Sequence, residues 1–290
     1  MKAYEYIKSK QTQWALNRDI TLIGSEDNKG FPAYTTELAK NLIEQNLFEP
    51  LDLDVRKSFE QGDGNEINGS PSNPAKMQAV HSSSALSVNV FQYWQRIKQV
   101  SVIASACGFC RKGNAVSENI VFEDKYPIMG DKFPPNIDVV FHNSNSSQFK
   151  RYAVECKFSE AYRPHDGLKQ KYIDLIEDWS DIPNLKILAK TISPNDDCFT
   201  YLHAAQLIKH ILGLKKECSK NGFRLLYLWY DVFGEEGTIH RFEIEKFSEI
   251  AKADGIYFNS MTYQELILVL SKEYRQEHTE YIKYLSERYL

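Results

Sequence analysis

The chain has no long apolar run. Its most apolar stretch, around Leu225–Tyr230, is far too short to span a bilayer, so no membrane association is expected. The opening residues MKAYEYIKSK carry no apolar segment of a secretory signal, and a cytoplasmic protein is expected. Cysteine is scarce, with five residues, an odd number, so a disulfide framework is not expected. A strong charge of either sign is missing as well: the formal net charge is −4. No internal repeat is evident.

What remains is enough for a packed protein. A chain of 290 residues with 42% hydrophobic and 13% aromatic content can bury a real core. Its charge is spread unevenly. Residues 80–224 hold 19 Lys and Arg against 15 Asp and Glu, whereas 1–79 hold 9 against 12 and 225–290 hold 7 against 12. A phosphate-facing surface, if there is one, is expected in the middle of the chain.

Helical spacing of Leu38, Leu42, Ile43 and Leu47 predicts a helix starting near Thr35 or Thr36 and ended by Pro50. Residues 59–76 are rich in Gly, Asn, Ser and Pro and read as a connecting loop, or as a loop that reaches over substrate. Ser82–Ser84 suit the N-cap of the next helix. From about residue 118 the pattern turns to strands. NIDVVFHN and KRYAVECKF, joined by HNSNSSQ, read as neighbouring antiparallel strands. Helices are predicted at 167–179, 183–191 and about 200–218. FRLLYLWYDV then reads as an inner strand, being apolar almost throughout. A helix near 243–252, a strand at 255–258 and a helical pair complete the chain, the first of the pair capped by Ser260 or Thr262. The last helix, from about 274, is strongly charged and expected on the surface.

Side chains alternate along a strand. Tyr152, Val154, Cys156 and Phe158 therefore share one face, and Ala153, Glu155 and Lys157 the other. On the preceding run Ile137, Val139 and Phe141 make a core face, with Asp138 directed away from it. If the two strands pair, Asp138 comes beside Glu155. Two carboxylates and a lysine converging in a partly buried place need compensation. A divalent cation such as Mg²⁺ supplies it through oxygen ligands. A lysine there can orient a water, or help to deprotonate it, for attack on phosphorus.

The run PPNID, a hairpin and then ECK resembles the P-D…(D/E)-x-K motif of the restriction-endonuclease-like nuclease superfamily. The matching residues are Pro135, Asp138, Glu155 and Lys157, with Asn136 and Ile137 between the proline and the aspartate. The resemblance covers about residues 115–215. It implies an α/β fold with a mixed central sheet flanked by helices, and it leaves the first hundred residues as an N-terminal helical extension. The corresponding division is 1–110 and 111–290. It also implies that Asp138 and Glu155 bind Mg²⁺, with Mn²⁺ as a substitute, and that Lys157 assists the water. DNA is the implied substrate, 5′-phosphate ends the implied product, and a homodimer a common arrangement. An upstream acid often joins such sites; Glu123 is the first choice and Glu118 the alternative. Some members carry Gln-x-x-x-Tyr on a following helix. Here Gln206 and His210 take those places, and Lys209 and Gly213 share their helical face. Ser159, Glu160, Tyr162, Arg163, Lys209 and His210 are candidate DNA contacts, and Arg151 and His165 lie close to them in sequence. Replacing Asp138 or Lys157 by Ala is expected to abolish cleavage with little change in melting temperature.

Plainer readings stand beside these. Glu155 and Lys157 also fit a solvent-facing pair, which contributes roughly 0–1 kcal/mol, and Asp138 fits a turn cap. Gln206 and His210 fit an exposed polar face. Cys107 and Cys110 form one C-x-x-C, which with Cys198, Cys218 and His203 or His210 is one route to a structural zinc; they also fit the end of a helix, with Cys156 in the core. A nuclease fold kept as a silent DNA-binding module, or as a protein-interaction component, is the alternative function.

Overall fold

A computed structural model describes residues 1–23, 33–34, 43–62, 66–69, 74–129, 134–175 and 177–290. In chain order the elements are α1 (Ala3–Leu16), the short ladder of β1 (Leu22–Ile23) and β2 (Ala33–Tyr34), α2 (Leu53–Gln61), α3 (Ser83–Arg96) and α4 (Val100–Ala106). The strands β3 (Ser117–Lys125), β4 (Asn136–Asn143) and β5 (Arg151–Lys157) follow. Then come α5 (Gln170–Ile173), α6 (Pro183–Thr191), α7 (Ala204–Cys218), β6 (Phe223–Trp229), α8 (Glu235–Ala253), β7 (Phe258–Thr262), α9 (Tyr263–Tyr274) and α10 (Thr279–Tyr289).

The main sheet has five strands in the order β3-β4-β5-β6-β7. β3, β4 and β5 are antiparallel neighbours, as expected of strands joined by tight connections. β5, β6 and β7 are parallel, and helices make the crossovers between them. The protein is therefore α/β, with a mixed sheet between two helical layers.

Alternation sorts the core in two. Phe122, Val139, Phe141, Val154, Cys156 and Leu228 pack on one side against α1, α3, α4, α9 and α10. Val140, Ala153, Leu225, Tyr227 and Trp229 pack on the other against α6, α7 and α8. The helices of the first 110 residues thus supply part of one layer, together with the last two helices, and share its apolar cluster. Burial at these positions is the main stabilising term, at about 25 cal/mol per Å² of apolar surface.

Local chemistry explains several boundaries. The Ser82 hydroxyl accepts from the Ala85 amide at 3.2 Å and starts α3. Thr262 accepts from the Glu265 amide at 3.0 Å, while Glu265 takes the Thr262 amide at 2.8 Å, a reciprocal cap that starts α9. Gly255, at φ +70°, turns the chain after α8. The last strand consequently starts at Phe258 and not at 255.

Other expectations are corrected. The stretch 59–76 is not loop throughout: α2 runs to Gln61 and its Phe59 is core. Between 167 and 179 only Gln170–Ile173 and a turn of 3-10 helix at Glu177–Trp179 are helical. α8 starts at Glu235, well before 243. α10 is amphipathic and buries Tyr281, Ile282, Leu285, Arg288 and Tyr289. Thr35, Thr36, Leu38 and Leu42 of the first predicted helix lie outside the described residues, and Glu44–Asn46 next to them form a 3-10 turn. Among the described residues no helix is long and apolar enough to cross a membrane.

Candidate active site

Strand register brings three acids to one level of the sheet. Phe122 pairs with Val139 and Asp124 with Ile137, which sets Glu123 across from Asp138. Val139 pairs with Val154, and one further step along that antiparallel register sets Asp138 across from Glu155. The β4–β5 ladder stops there, and the Asp138 carboxylate takes over: its Oδ2 accepts the Cys156 amide at 2.7 Å. Glu123 has a left-handed backbone, φ +52°, in the interior of a strand. A side chain rarely adopts this conformation without a compensating role. Glu118, the alternative upstream acid, is exposed near the opposite end of β3.

Glu155 and Lys157 are not a surface pair. Glu155 is 0% exposed and Lys157 6%. The Lys157 ammonium lies 2.7 Å from Glu155 Oε1 and donates to Gln206 Oε1 at 2.9 Å. His210, also buried, holds Glu155 Oε2 through Nε2 at 2.7 Å. Both side chains on α7 are thus spent on β5. Burial works to raise the Glu155 carboxyl, but Lys157 and His210 outweigh it and hold the group at about 2. Burial likewise works against charge on Lys157, and Glu155, Glu160 and Asp138 more than offset it, raising its pKa.

The other two acids are in the opposite condition. Burial raises the Asp138 carboxyl, and Glu155 and Glu123 raise it further against the pull of Lys157. Glu123 is pushed to about 7 by burial and by the neighbouring Glu66. Glu123 Oε2 accepts only a long bond from Asn136, at 3.3 Å. Asp138 and Glu123 each have one oxygen that no described residue bonds. Among the described residues no group of three or more His, Cys, Asp and Glu is placed to hold a metal ion, which covers both the row Glu123, Asp138 and Glu155 as it stands and the route to zinc through Cys107, Cys110, Cys198 and Cys218. Two partly exposed carboxylates that repel each other do fit a hard divalent cation that retains some of its waters.

The candidate DNA contacts divide. Ser159 is buried and donates to the His81 carbonyl at 3.1 Å. Tyr162 is buried and donates to the Tyr230 carbonyl at 3.0 Å. His210 is buried against Glu155. These three are interior residues and are not placed to meet a duplex. Glu160 is half-buried and accepts the Phe158 amide at 3.2 Å. Arg163 is exposed, with its guanidinium 5.4 Å from the centre of the Tyr4 ring. Lys209 stays partly exposed; burial lowers its pKa, and Lys169, Lys157 and Lys171 add to the effect against Glu155. Arg151 is turned to the far end of β5, where it donates to the Tyr126 hydroxyl at 3.2 Å. Gly213 lets α7 approach the chain just after β3 closely, since a Cβ there would lie 2.7 Å from the Tyr126 Cβ and 2.8 Å from its carbonyl oxygen. His203, a zinc candidate by sequence, is the N-cap of α7 and precedes Gln206 by three residues.

The fold is α/β, a five-stranded mixed sheet flanked by helices, and is compatible with a restriction-endonuclease-like architecture. A family model described as Restriction Endonuclease associating with ARP matches residues 8–290, and the chain belongs to that family. No curated protein and no solved structure matches it.

Proposed function

We propose that the chain is a metal-dependent DNA endonuclease of the PD-(D/E)XK type. The observation that carries this reading is the row Glu123, Asp138 and Glu155 across three adjacent strands, with Lys157 ion-paired to the last of them. The family description, which names a restriction endonuclease, points the same way.

Asp138 and Glu123 would hold Mg²⁺ through their free oxygens, and Glu155 would join if its bond to Lys157 or His210 loosens. The ion, when bound, supplies positive charge that acidifies a coordinated water and offsets charge growing on the phosphate oxygens. The chain's own residues do the rest. Lys157, held between Glu155 and Gln206, keeps an ammonium directed at the reacting phosphate and orients the attacking water. The Cys156 amide fixes the Asp138 carboxylate. Lys209, partly exposed, and Arg163 and Lys169, both exposed, would supply positive charge to a phosphate backbone.

The family description also names an association with ARP. Restriction or defence carried out with such a partner is the biological setting that we propose. The test is incubation of supercoiled plasmid with the purified protein and Mg²⁺. Nicked or linear products that vanish with EDTA and with Asp138→Asn support the enzyme. Binding without cleavage by the wild type would favour a silent DNA-binding module.

A further inference from the structure

The first helix reaches the end of the strand that carries Glu155 and Lys157. β5 ends at Lys157, and the 3-10 turn Glu160–Tyr162 follows it. α1 packs on that turn, and its Ala3 and Ile7 share the apolar cluster of Ala161 and Tyr162. The start of α1 is tied down as well, since the Ala3 amide donates to Glu236, which also accepts the Tyr201 hydroxyl at 3.2 Å. The Tyr4 hydroxyl bonds the His81 ring at 3.1 Å, and the His81 carbonyl accepts the Ser159 hydroxyl at 3.1 Å. Two residues after Lys157 the chain is thus joined to α1 through one histidine.

Two cations converge on this junction. Arg163, exposed at the end of the turn, sets its guanidinium 5.4 Å from the centre of the Tyr4 ring. Lys8 is partly exposed and stands one helical turn after Tyr4 on α1. Burial, and then the charges of Lys8 and Arg163, lower the His81 pKa to about 4, so both cations act on one ring that stays neutral at pH 7. Among the described residues neither Lys8 nor Arg163 has an ion pair or a side-chain hydrogen bond. Glu160 acts on Tyr4 and on Lys157 alike, and its carboxylate accepts the Phe158 amide at 3.2 Å. Like charges held near each other repel, and an anion that enters between them removes that cost.

We propose that Lys8 and Arg163 jointly bind one backbone phosphate of the nucleic acid, flanking the phosphate that Lys157 faces, so that α1 is part of the substrate surface. The proposal rests on the nuclease reading and adds Lys8, from the first 110 residues, as a positioning residue. Both side chains meet solvent, so a strand can approach them from outside. The Tyr4 ring holds the guanidinium in place before the strand arrives.

The test measures affinity for a fluorescent 30-bp duplex against salt concentration, with Ca²⁺ replacing Mg²⁺. The variants are Lys8→Gln, Arg163→Gln, the double variant and a control, Lys112→Gln, whose ammonium pairs with Glu273 at 2.9 Å. Each neutralised phosphate contributes about −0.9 to the slope of log affinity against log salt. The double variant should therefore lose about 1 from the size of that slope and bind about 10-fold more weakly at low salt. Each single variant should fall between the wild type and the double, and Lys112→Gln should match the wild type. Wild-type slope and affinity in the double variant overturn the proposal. A slope change near 2 also overturns it, because it means two separate phosphates. Weaker binding with an unchanged slope overturns it too, because the side chains would then act on the fold and not through charge. If the wild type cleaves plasmid and the double variant binds as it does, this proposal alone fails. If the wild type neither binds nor cleaves DNA, the nuclease reading fails with it.

Discussion

Replacing Lys157 by Met removes one half of a buried ion pair. The Glu155 carboxylate is 0% exposed and has Lys157 at 2.7 Å on one oxygen and His210 at 2.7 Å on the other. Without the ammonium, a buried negative charge is left with a histidine alone. Breaking such a pair from one side costs about 3–5 kcal/mol. At roughly 2–3 °C per kcal/mol for a chain of this size, melting should fall by about 10 °C. The expectation that a Lys157 substitution barely affects melting is thereby corrected. Adding Glu155→Gln removes the stranded charge and leaves His210 a hydrogen-bonding partner. The double variant should regain most of the lost stability, with a coupling of about 2 kcal/mol or more, yet cleave no DNA. Urea unfolding of the two single variants and the double, with plasmid cleavage in parallel, gives the full cycle. Wild-type stability for Lys157→Met, or strictly additive losses, would refute the buried-pair argument.

Asp138→Asn should keep the bond from the Cys156 amide, abolish cleavage and melt no lower than wild type at neutral pH, because the carboxyl it replaces is raised by burial and by two neighbouring acids. Calorimetry and plasmid cleavage check it, and a large fall in melting temperature would count against the arrangement. Gly213→Ala should destabilise by about 2 kcal/mol or more, because the new methyl meets the Tyr126 carbonyl oxygen at 2.8 Å and α7 must move off the segment that follows β3; chemical denaturation checks it. His240 is fully buried, pairs with the Tyr227 hydroxyl at 3.0 Å and has its pKa lowered to about 3 by burial. The unfolded chain therefore binds a proton below pH 6.5 that the folded chain refuses, and stability present above that pH is lost as pH falls towards 3. From pH 7 to 5 the loss is about 2 kcal/mol for this one ring. His240→Leu should flatten the slope of stability against pH by that amount, and an unchanged slope would contradict it.

Period-two alternation in NIDVVFHN and RYAVECK was enough to read two antiparallel strands and the faces of their side chains, because that pattern is local. The level shared by Glu123, Asp138 and Glu155 was not, since it depends on a register set between strands and on the left-handed kink at Glu123. Alternation on β5 also suggested one core face, whereas helices cover both and turn Glu155 and Lys157 into interior groups. The partner of Glu155 lies 55 residues away on α7. Its helical spacing was visible, but what it would meet was not. In 59–76 the polar composition hid the end of α2, whose Val55 and Phe59 alone carry its buried face.

An enzyme of this kind requires a divalent ion gathered where β3 and β4 bring their acids together. Crystals soaked in Mn²⁺ and measured at the manganese absorption edge test this directly. The predicted result is an anomalous peak about 2.1–2.3 Å from a carboxylate oxygen of Asp138, with Glu123 or Glu155 as a further ligand. Electron density with no peak at Asp138, or with manganese bound only elsewhere on the chain, would contradict it.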